Sequence, residues 1–452
     1  MQQQLQKQSG TWKWGLLCLI ILAPFFFLSY GFSNHYAAGL INVPSIVFKW
    51  EHLIPLWPWT IVPYWSIDLF YGLSLVLCWN NFELKQHALR LFTAQLISIS
   101  CFLLFPLKFS FERPELHGFF GMWFDILMGF DKPFNQAPSL HIVLLIILWD
   151  FYRRHISLSF RWVIDIWSFL IGLSVLTTWQ HHFIDIPTGI VVGALCLWLY
   201  PLDLKAPYQA QLHQFRTTKH FKLASYYLFG AIVLCILAWL ILGWALWLFY
   251  PALSLLLVSL AYVLVRPHFF QKQDNGKMTI ASLILFGPYL IFAWLNSRLW
   301  TKKHPEDSLV FESYQLIIFL GRIPSQKHTS TYAAIFDCCA ELPVATETSY
   351  QQYLTLDLIP IQADQLYHAV NAFEKLIQHS QQHEQPKILI FCALGYSRST
   401  AVLCAWLIKN QHTINIKNAL QLIRTARPWI KLSEEQIEQI NLYQLSLLES
   451  AP

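Results

Sequence analysis

The chain has 452 residues, of which 55% are hydrophobic and only 13% charged. So few charges exclude an ordinary soluble protein of this size and point to an integral membrane protein. The formal net charge of +5 is modest, and the basic residues sit between apolar segments, so they report on topology and membrane surfaces rather than on nucleic acid.

At the N-terminus, Lys7 and Lys13 lead into "GLLCLIILAPFFFLSYGF". This reads either as a signal peptide or as an uncleaved first span, and the missing small-x-small cleavage site favours the span. Apolar segments of about 20 residues, enough to cross a bilayer, fall near 15–32, 60–79, 88–106, 139–152, 162–180, 183–200, 223–243, 246–265 and 278–297. The fourth is short, as befits a span that begins in polar site residues. The run 118–130, "GFFGMWFDILMGF", suits either an interfacial lid or a packed, re-entrant helix. Asp165, inside the fifth span, has no evident partner in sequence. Nine cysteines are scattered without regular spacing, five of them (Cys18, Cys78, Cys101, Cys196 and Cys235) inside apolar runs. No disulfide framework, metal site or other cofactor is expected from them.

After Trp300 the polar stretch "TKKHPEDS" ends the pattern. Strand-like "YQLIIFLG", "TYAAIFDCCAE", "YLTLDLI" and "KILIF" then alternate with helix-like "QLYHAVNAFEKLIQ" and "RSTAVLCAWLIKN", which describes a compact α/β domain. The expected organisation is an N-terminal span and loop (1–59), a helical membrane domain (60–200), further spans and linker (201–300) and a soluble domain (308–448).

Within that last domain, Cys392-Ala-Leu-Gly-Tyr-Ser-Arg398-Ser399 joins the strand "KILIF" to a helix starting near Arg398. Backbone N–H groups of such a loop can point inward, and the helix N-terminus adds partial positive charge, so the loop is an anion site. The same field favours thiolate over thiol and makes Cys392 a nucleophile. Arg398 can grip two phosphate oxygens, Gly395 permits the tight turn, and Ser399 can hydrogen-bond the sulfur or assist hydrolysis of a phosphocysteine. The loop resembles the CX5R signature of the protein tyrosine and dual-specificity phosphatases, over about residues 308–448. Phe391 stands where that family usually has His. The resemblance implies a general acid on an upstream loop. Asp357, expected to end a strand, fits best, Asp364 is the alternative, and Asp337 is expected to be structural.

Two further stretches, "NQAPSLHIVLL" and "TTWQHHFIDIPTG", place ionisable groups at the ends of apolar spans, where they are costly unless they face a cavity or one another. His181 and Asp185, four apart, would share one helix face and hydrogen-bond. The carboxylate would then fix the imidazole tautomer, leaving the other nitrogen to attack phosphorus. His141 begins a span on the same membrane side and is the candidate acid, a role worth roughly 10²–10⁴ in rate. His182 reads as structural. Over about residues 60–200 these motifs resemble the PAP2 superfamily of acid and lipid phosphate phosphatases, with Pro138–His141 and His181–Asp185 as its second and third motifs. The Leu in "PSLH" and the doubled His are closest to its inositol phosphotransferase branch, the inositol phosphorylceramide synthase type. The resemblance makes Arg113 and Lys108 candidate phosphate ligands, although their spacing is two residues short, and Val175 occupies the position of another phosphate-gripping Arg.

These readings give a polytopic α-helical membrane domain followed by an α/β dual-specificity phosphatase domain. The expected function is a bifunctional enzyme of the plasma or inner membrane. A histidine site would hydrolyse or transfer a lipid phosphate, and a cysteine site would hydrolyse phosphate monoesters. Membrane lipids are the expected substrates and a phosphoprotein a further candidate. Two alternatives stay open: a membrane-anchored protein phosphatase regulated by a degenerate lipid-sensing domain, and a transporter with a regulatory domain. The positive-inside rule places the loops around 82–90, 152–161 and 201–222 in the cytoplasm and both histidines outside. A thiolate enzyme suits the reducing cytoplasm. Nine full crossings would put the cysteine domain outside, so one apolar run is expected not to cross fully.

Overall fold

A computed structural model describes residues 6–209, 218–381 and 385–449. The chain divides into two compact units, one up to Tyr208 and one from Gln209 onward.

The first unit is helical: α1 (Thr11–Ala38), α2 (Ile61–Val76), α3 (Asn81–Leu104), α4 (Gly118–Phe130), α5 (Leu140–His155), α6 (Arg161–Thr177) and α7 (Asp185–Leu199). Local chemistry sets several of its boundaries. The Asn80 side chain accepts the N–H of Glu83 to start α3, and Ser139 accepts that of Ile142 to start α5. Gly189 on α7 faces α5 so closely that a Cβ there would lie 2.7 Å from Cβ of Ile142. Only glycine allows this approach, which brings the start of α5 against the start of α7. Tyr64, Leu91, Ala94, Phe102, Val143, Ile147 and Phe151 are almost wholly buried between the helices. Outward-facing residues such as Ile20, Leu28, Leu69 and Phe169 are apolar and exposed, a surface unsuited to water.

The second unit opens with α8 (Thr218–Ile241), α9 (Phe249–Val263) and α10 (Ile280–Trp300). The elements that follow are β1 (Ser308–Ser313), β2 (Leu316–Arg322), α11 (Gln326–Thr329), β3 (Ala334–Cys339), β4 (Ser349–Thr355), α12 (Ala363–Ser380), β5 (Lys387–Cys392), α13 (Arg398–Lys409), α14 (Ile416–Ala426) and α15 (Glu434–Glu449). The five strands run in the order β1-β2-β5-β3-β4, with β1 antiparallel to β2 and the other pairings parallel. Central β5 is buried from Ile388 to Cys392, so Cys392 emerges at the carboxyl end of the sheet, where open α/β sheets place their ligands. One face of the sheet packs on α12, α13, α14 and α15. The other buries Ile335, Leu389 and Phe391, with Ala293 of α10 packed against them.

Six helices among the described residues are long and apolar enough to cross a membrane: α1, α3, α6 with its preceding turn, α8, α9 with its preceding turn, and α10. The other three expected spans are shorter, with 16 residues in α2, 16 in α5 and 15 in α7. At about 1.5 Å per residue they reach less than the roughly 30 Å of a hydrocarbon core. His141 and Asp185 lie in the first turns of α5 and α7. Three details differ from the sequence reading. β1, the one-turn α11, α14 and α15 had no counterpart in it. Asp357 lies in a turn two residues beyond β4 instead of ending the strand. His181 lies in the turn before α7 rather than on a helix face shared with Asp185.

Candidate active sites

Around the cysteine, the loop folds so that donors converge on sulfur. The Gly395 N–H and the Ser399 hydroxyl each donate to Cys392 Sγ at 3.3 Å. Gly395 has φ 71° and lies where a Cβ would sit 2.2 Å from the Gly321 carbonyl oxygen, so a side chain would force the loop away from β2. Burial alone would raise the thiol. The Arg398 guanidinium, with the Ser399 and Gly395 donors, overcomes it and holds Cys392 below its ordinary value. Phe391 gives no help: it is fully buried in the second face of the sheet.

Arg398, at the start of α13, is 2% exposed. Its Nη1 and Nη2 donate to the two carboxylate oxygens of Glu341 at 2.8 and 2.5 Å, and Nη1 also reaches the Thr355 carbonyl at 3.0 Å. Asp357 Oδ1 lies 3.2 Å from Nη2. Nε is buried without a partner among the described residues, a donor left for an oxyanion beside the sulfur. The Asp357 side chain keeps 34% of its surface accessible. Burial and the Glu341 charge still raise its carboxyl above the usual range against the pull of Arg398. The structure thus brings Cys392, Gly395, Arg398, Ser399 and Asp357 together. Asp364 stands apart, exposed in the first turn of α12. Asp337 is structural, as expected, and accepts hydrogen bonds from Lys272, Tyr350 and the Cys339 N–H.

Two site residues escaped the sequence reading. Glu341 follows β3, and its charge was a usable signal: a buried arginine at the loop requires a carboxylate, and one lay just beyond a buried strand. Arg427 is fully buried behind the loop. It donates to the carbonyls of Gly395 and Leu394 on the loop and of Glu306 and Leu320 beside it. Nothing in local spacing marks it.

A cavity of about 420 Å³ lies at this site, lined by Glu341, Asp357, Ala393 and Leu394 from the α/β domain. Its remaining walls are Tyr227 and Leu234 on α8, Pro251 and Leu255 on α9, and Pro288 to Ser297 on α10. Direct bonds hold these helices in place. Ser297 donates to the Ala393 carbonyl at 2.5 Å, Tyr262 to that of Asp357 at 3.2 Å, and Tyr396 to that of Trp300 at 3.1 Å. The loop between α9 and α10 inserts Lys272, which meets Asp337 and the carbonyls of Cys339 and Leu342.

The histidine cluster of the first unit also assembles. His181 Nδ1 is 3.1 Å from Asp185 Oδ2, which also accepts the His182 N–H at 3.0 Å. This fixes the imidazole so that Nε2 points away from the carboxylate. The His141 ring stacks on Tyr64, with centroids 4.0 Å apart, and lies 6.3 Å from the His181 ring. His182 is held structurally: Nδ1 meets Glu51 at 2.9 Å, and Nε2 accepts from Ser110. Hydrogen bonds from His182, Phe48 and Phe183 outweigh burial and keep Glu51 below the usual carboxylate range. Glu51 therefore belongs to this cluster, though the sequence reading left it outside residues 60–200. Arg113 donates to the carbonyls of Thr178 and Trp179, on the turn before His181, and its guanidinium lies over Phe124. Lys108 is exposed, and no hydrogen bond or ion pair joins its side chain to the histidines among the described residues. Val175 is buried, and its carbonyl accepts the N–H groups of Gln180 and His181. Asp165, lone in sequence, pairs with Arg153 and accepts from Trp149. The pocket beside His141 is about 30 Å³, room for one water.

A nucleophilic cysteine, a buried arginine and an upstream acid at the carboxyl end of a central strand define a cysteine-dependent phosphatase domain. Residues 318–446 match the dual specificity phosphatase catalytic domain. Among solved structures, PTPMT1 in complex with PI(5)P is 16% identical. That alignment covers 30% of this chain and 94% of the other, with a TM-score of 0.26. Human DUSP28 is 18% identical over 30% of this chain and 95% of its own, TM-score 0.26. A leucine rich repeat and phosphatase domain containing protein from Entamoeba histolytica is 20% identical over 34% and 99%, TM-score 0.25. No curated protein matches the chain.

Proposed function

We propose that the protein is a multi-pass membrane enzyme acting on phosphorylated lipids, with phosphate monoester hydrolysis carried out at Cys392. The observation that carries the cysteine chemistry is the convergence of two donors on a sulfur whose ionisation is favoured, next to an arginine with one buried nitrogen unpaired. In the first step the thiolate attacks phosphorus, an S–P bond forms and the P–O bond to the alcohol breaks. Asp357, as the acid, gives its proton to the departing oxygen. Water then attacks phosphorus, giving a proton back to Asp357, and phosphate leaves with the thiolate restored. Arg398 holds the equatorial oxygens, and Glu341 fixes the guanidinium plane.

At the histidine cluster, the matching reaction is attack by His181 Nε2 on a lipid phosphate: an N–P bond forms, the P–O bond to the lipid alcohol breaks and His141 protonates the departing oxygen, while Asp185 stabilises the imidazolium and Arg113 braces the turn before His181. Water or an inositol hydroxyl is the acceptor. Cys392→Ser and His181→Ala, assayed separately and together on p-nitrophenyl phosphate and on phosphatidate in detergent, test the assignment. Cys392→Ser should remove turnover of the nitrophenyl ester, and the double variant should release no phosphate from lipid. Lipid turnover that survives the double variant refutes the two-site reading.

A second reading is favoured by Val175, by the Glu51 clamp and by the small pocket at His141. In it the histidine domain binds lipid without turnover and regulates the phosphatase. Phosphate release from lipid by Cys392→Ser, lost again on adding His181→Ala, eliminates it.

For sidedness, α10 is long enough to cross, yet its two ends are both tied to the phosphatase domain. Gly276, just before it, accepts the Val344 N–H, and Ser297 near its end binds Ala393. α8 likewise starts at Glu435 through Lys219, and α9 ends at Asp357 through Tyr262. A helix anchored at both ends to one soluble domain runs along it. On this reading α8 and α9 dip into the bilayer and return, and the phosphatase domain stays on the side of residue 218, the cytoplasm by charge bias.

A further inference from the structure

The cavity at the cysteine site has walls that a phosphatase acting on soluble phosphoproteins does not need. We propose that the space between α8, α9 and α10 is a hydrocarbon channel, and that the cysteine site takes a phosphomonoester whose alkyl or acyl chain begins within a few atoms of the phosphate. This deepens the proposed function and rests on the reading of Cys392 as the phosphatase nucleophile.

One cavity is lined by Asp357 and Glu341, the partners of Arg398, by Ala393 and Leu394, which follow the nucleophile, and by helix residues that include Leu234, Leu255, Phe292 and Ala293 beside the polar Asn296 and Ser297. The charged groups of the lining, Glu341 and Asp357, come from the α/β domain, and the helix-borne lining carries no charge and is mainly aliphatic or aromatic. A ligand spanning it carries a dianion at one end and becomes apolar almost at once. A phosphotyrosyl loop of a protein would instead need open, hydrogen-bonding room for its flanking backbone.

The surroundings of the cavity agree. Phe292, one of the lining residues, is 70% exposed, and the neighbouring outer faces of α8 and α10 carry Phe229, Ile236, Trp239, Ile291 and Trp294, all exposed and apolar. Such faces belong against hydrocarbon. A lipid can then slide its chain between the helices while its headgroup stays at the level of the loop.

The helices are also part of the fold. Lys272 is buried in its bonds to Asp337, Cys339 and Leu342, and Ser297 and Tyr262 bond to the backbone of Ala393 and Asp357. The channel is therefore tied to the backbone of the residue after the nucleophile and of the proposed acid.

The test uses the full chain in phosphatidylcholine nanodiscs. Dioleoyl phosphatidate, dihexanoyl phosphatidate, glycerol 3-phosphate and a phosphotyrosyl peptide are compared by released phosphate, each corrected with Cys392→Ser. The three glycerol esters share a leaving group, so kcat/KM should rise along the chain series by at least about 100-fold from glycerol 3-phosphate to the dioleoyl ester. Leu255→Trp and Ala293→Trp, which narrow the channel at different helices, should each lower the ratio of dioleoyl phosphatidate to p-nitrophenyl phosphate turnover by at least about tenfold. A flat chain series, a peptide preferred over the lipid, or both Trp variants leaving that ratio unmoved overturns the channel. If Cys392→Ser leaves p-nitrophenyl phosphate turnover intact, the phosphatase reading itself fails. The chain series on wild-type protein needs no variant to fold.

Discussion

The molecule carries two buried polar constellations, one at Cys392 and one at His181, and they differ in the positive charge each holds. At Cys392 the positive charge is inside the site: Arg398 is buried, fixed by Glu341 and has a nitrogen to spare. At the other centre the His181 ring is as well oriented, by Asp185, but Arg113, which bonds the turn before it, is engaged by two backbone carbonyls, and position 175 is an apolar, buried Val. The spaces differ in step, about 420 Å³ against about 30 Å³. Orienting a nucleophile takes one carboxylate or hydroxyl. Holding a dianion in a dry site takes a buried cation with a countercharge of its own, and only the cysteine centre has the complete set.

The largest effect that can break this comparison is at the nucleophile. Cys392→Ser should lower kcat for p-nitrophenyl phosphate by on the order of 10⁴-fold or more, because the alkoxide that would replace the thiolate does not form there. A residual rate within about tenfold of wild type would show that another group attacks. Next comes the countercharge. Glu341→Ala leaves the Arg398 guanidinium buried against one half-exposed acid, and truncating one partner of such a pair costs about 3–5 kcal/mol. Denaturant unfolding of the C-terminal domain should move by that amount, with kcat falling as the guanidinium loses its plane. A smaller shift would show that Asp357 can take over the pairing.

Asp357 ranks third and separates two roles. As the acid it should matter for alkyl leaving groups and little for nitrophenolate, so in a His181→Ala background Asp357→Asn should lower phosphatidate turnover by roughly 10²–10³ and nitrophenyl phosphate turnover far less. Removing its charge also weakens its hold on one Arg398 Nη2 N–H, while Glu341 keeps the other, so vanadate should bind the variant more tightly. The pH profile gives the sign. kcat/KM rises as Cys392 loses its proton, and that limb should lie below the ordinary thiol range. It falls as Asp357 loses its proton, and that limb should lie above the ordinary carboxylate range. Ser399→Ala removes a donor to the sulfur and should move the rising limb upward. Asp357→Asn should abolish the falling limb.

How far the sequence carried each half follows from what each contact depends on. The cysteine loop was legible because its function is local: a strand, five intervening residues and a helix start generate the anion site from backbone geometry alone. Glu341 and Arg427 reach the loop across 57 and 32 positions of sequence, and no periodicity records such a pairing; only the charge of Glu341 just beyond a buried strand marked it, and nothing marked Arg427. His141, His181 and Asp185 were legible through their cost in apolar surroundings. The same reasoning put His181 on a helix, since a spacing of four says nothing about whether α6 ends first. It does end: the Val175 carbonyl takes two N–H groups and turns the chain. The apolar run of α10 was legible as a membrane-length helix, but its docking onto the sheet through Ala293 was not, because packing on a protein face and packing on lipid select the same residues.

The smallest expected effect concerns the two basic residues before α4 and discriminates between sequence likeness and observed geometry. By likeness, Lys108 and Arg113 act together as phosphate ligands. Arg113 instead braces the turn that delivers His181, through Thr178 and Trp179, while the Lys108 side chain is exposed. Replacing a surface residue away from such features shifts free energies by about 0.5 kcal/mol or less. Lys108→Ala should therefore change lipid phosphate release in a Cys392→Ser background by no more than about twofold. Arg113→Ala should cost more, and should also loosen the His181 turn, read as faster amide exchange over residues 178–182. If Lys108→Ala instead costs as much as Arg113→Ala with no change in exchange, the lysine meets the phosphate directly. The histidine cluster would then have a cation of its own, and the contrast between the two centres would narrow to the size of their cavities.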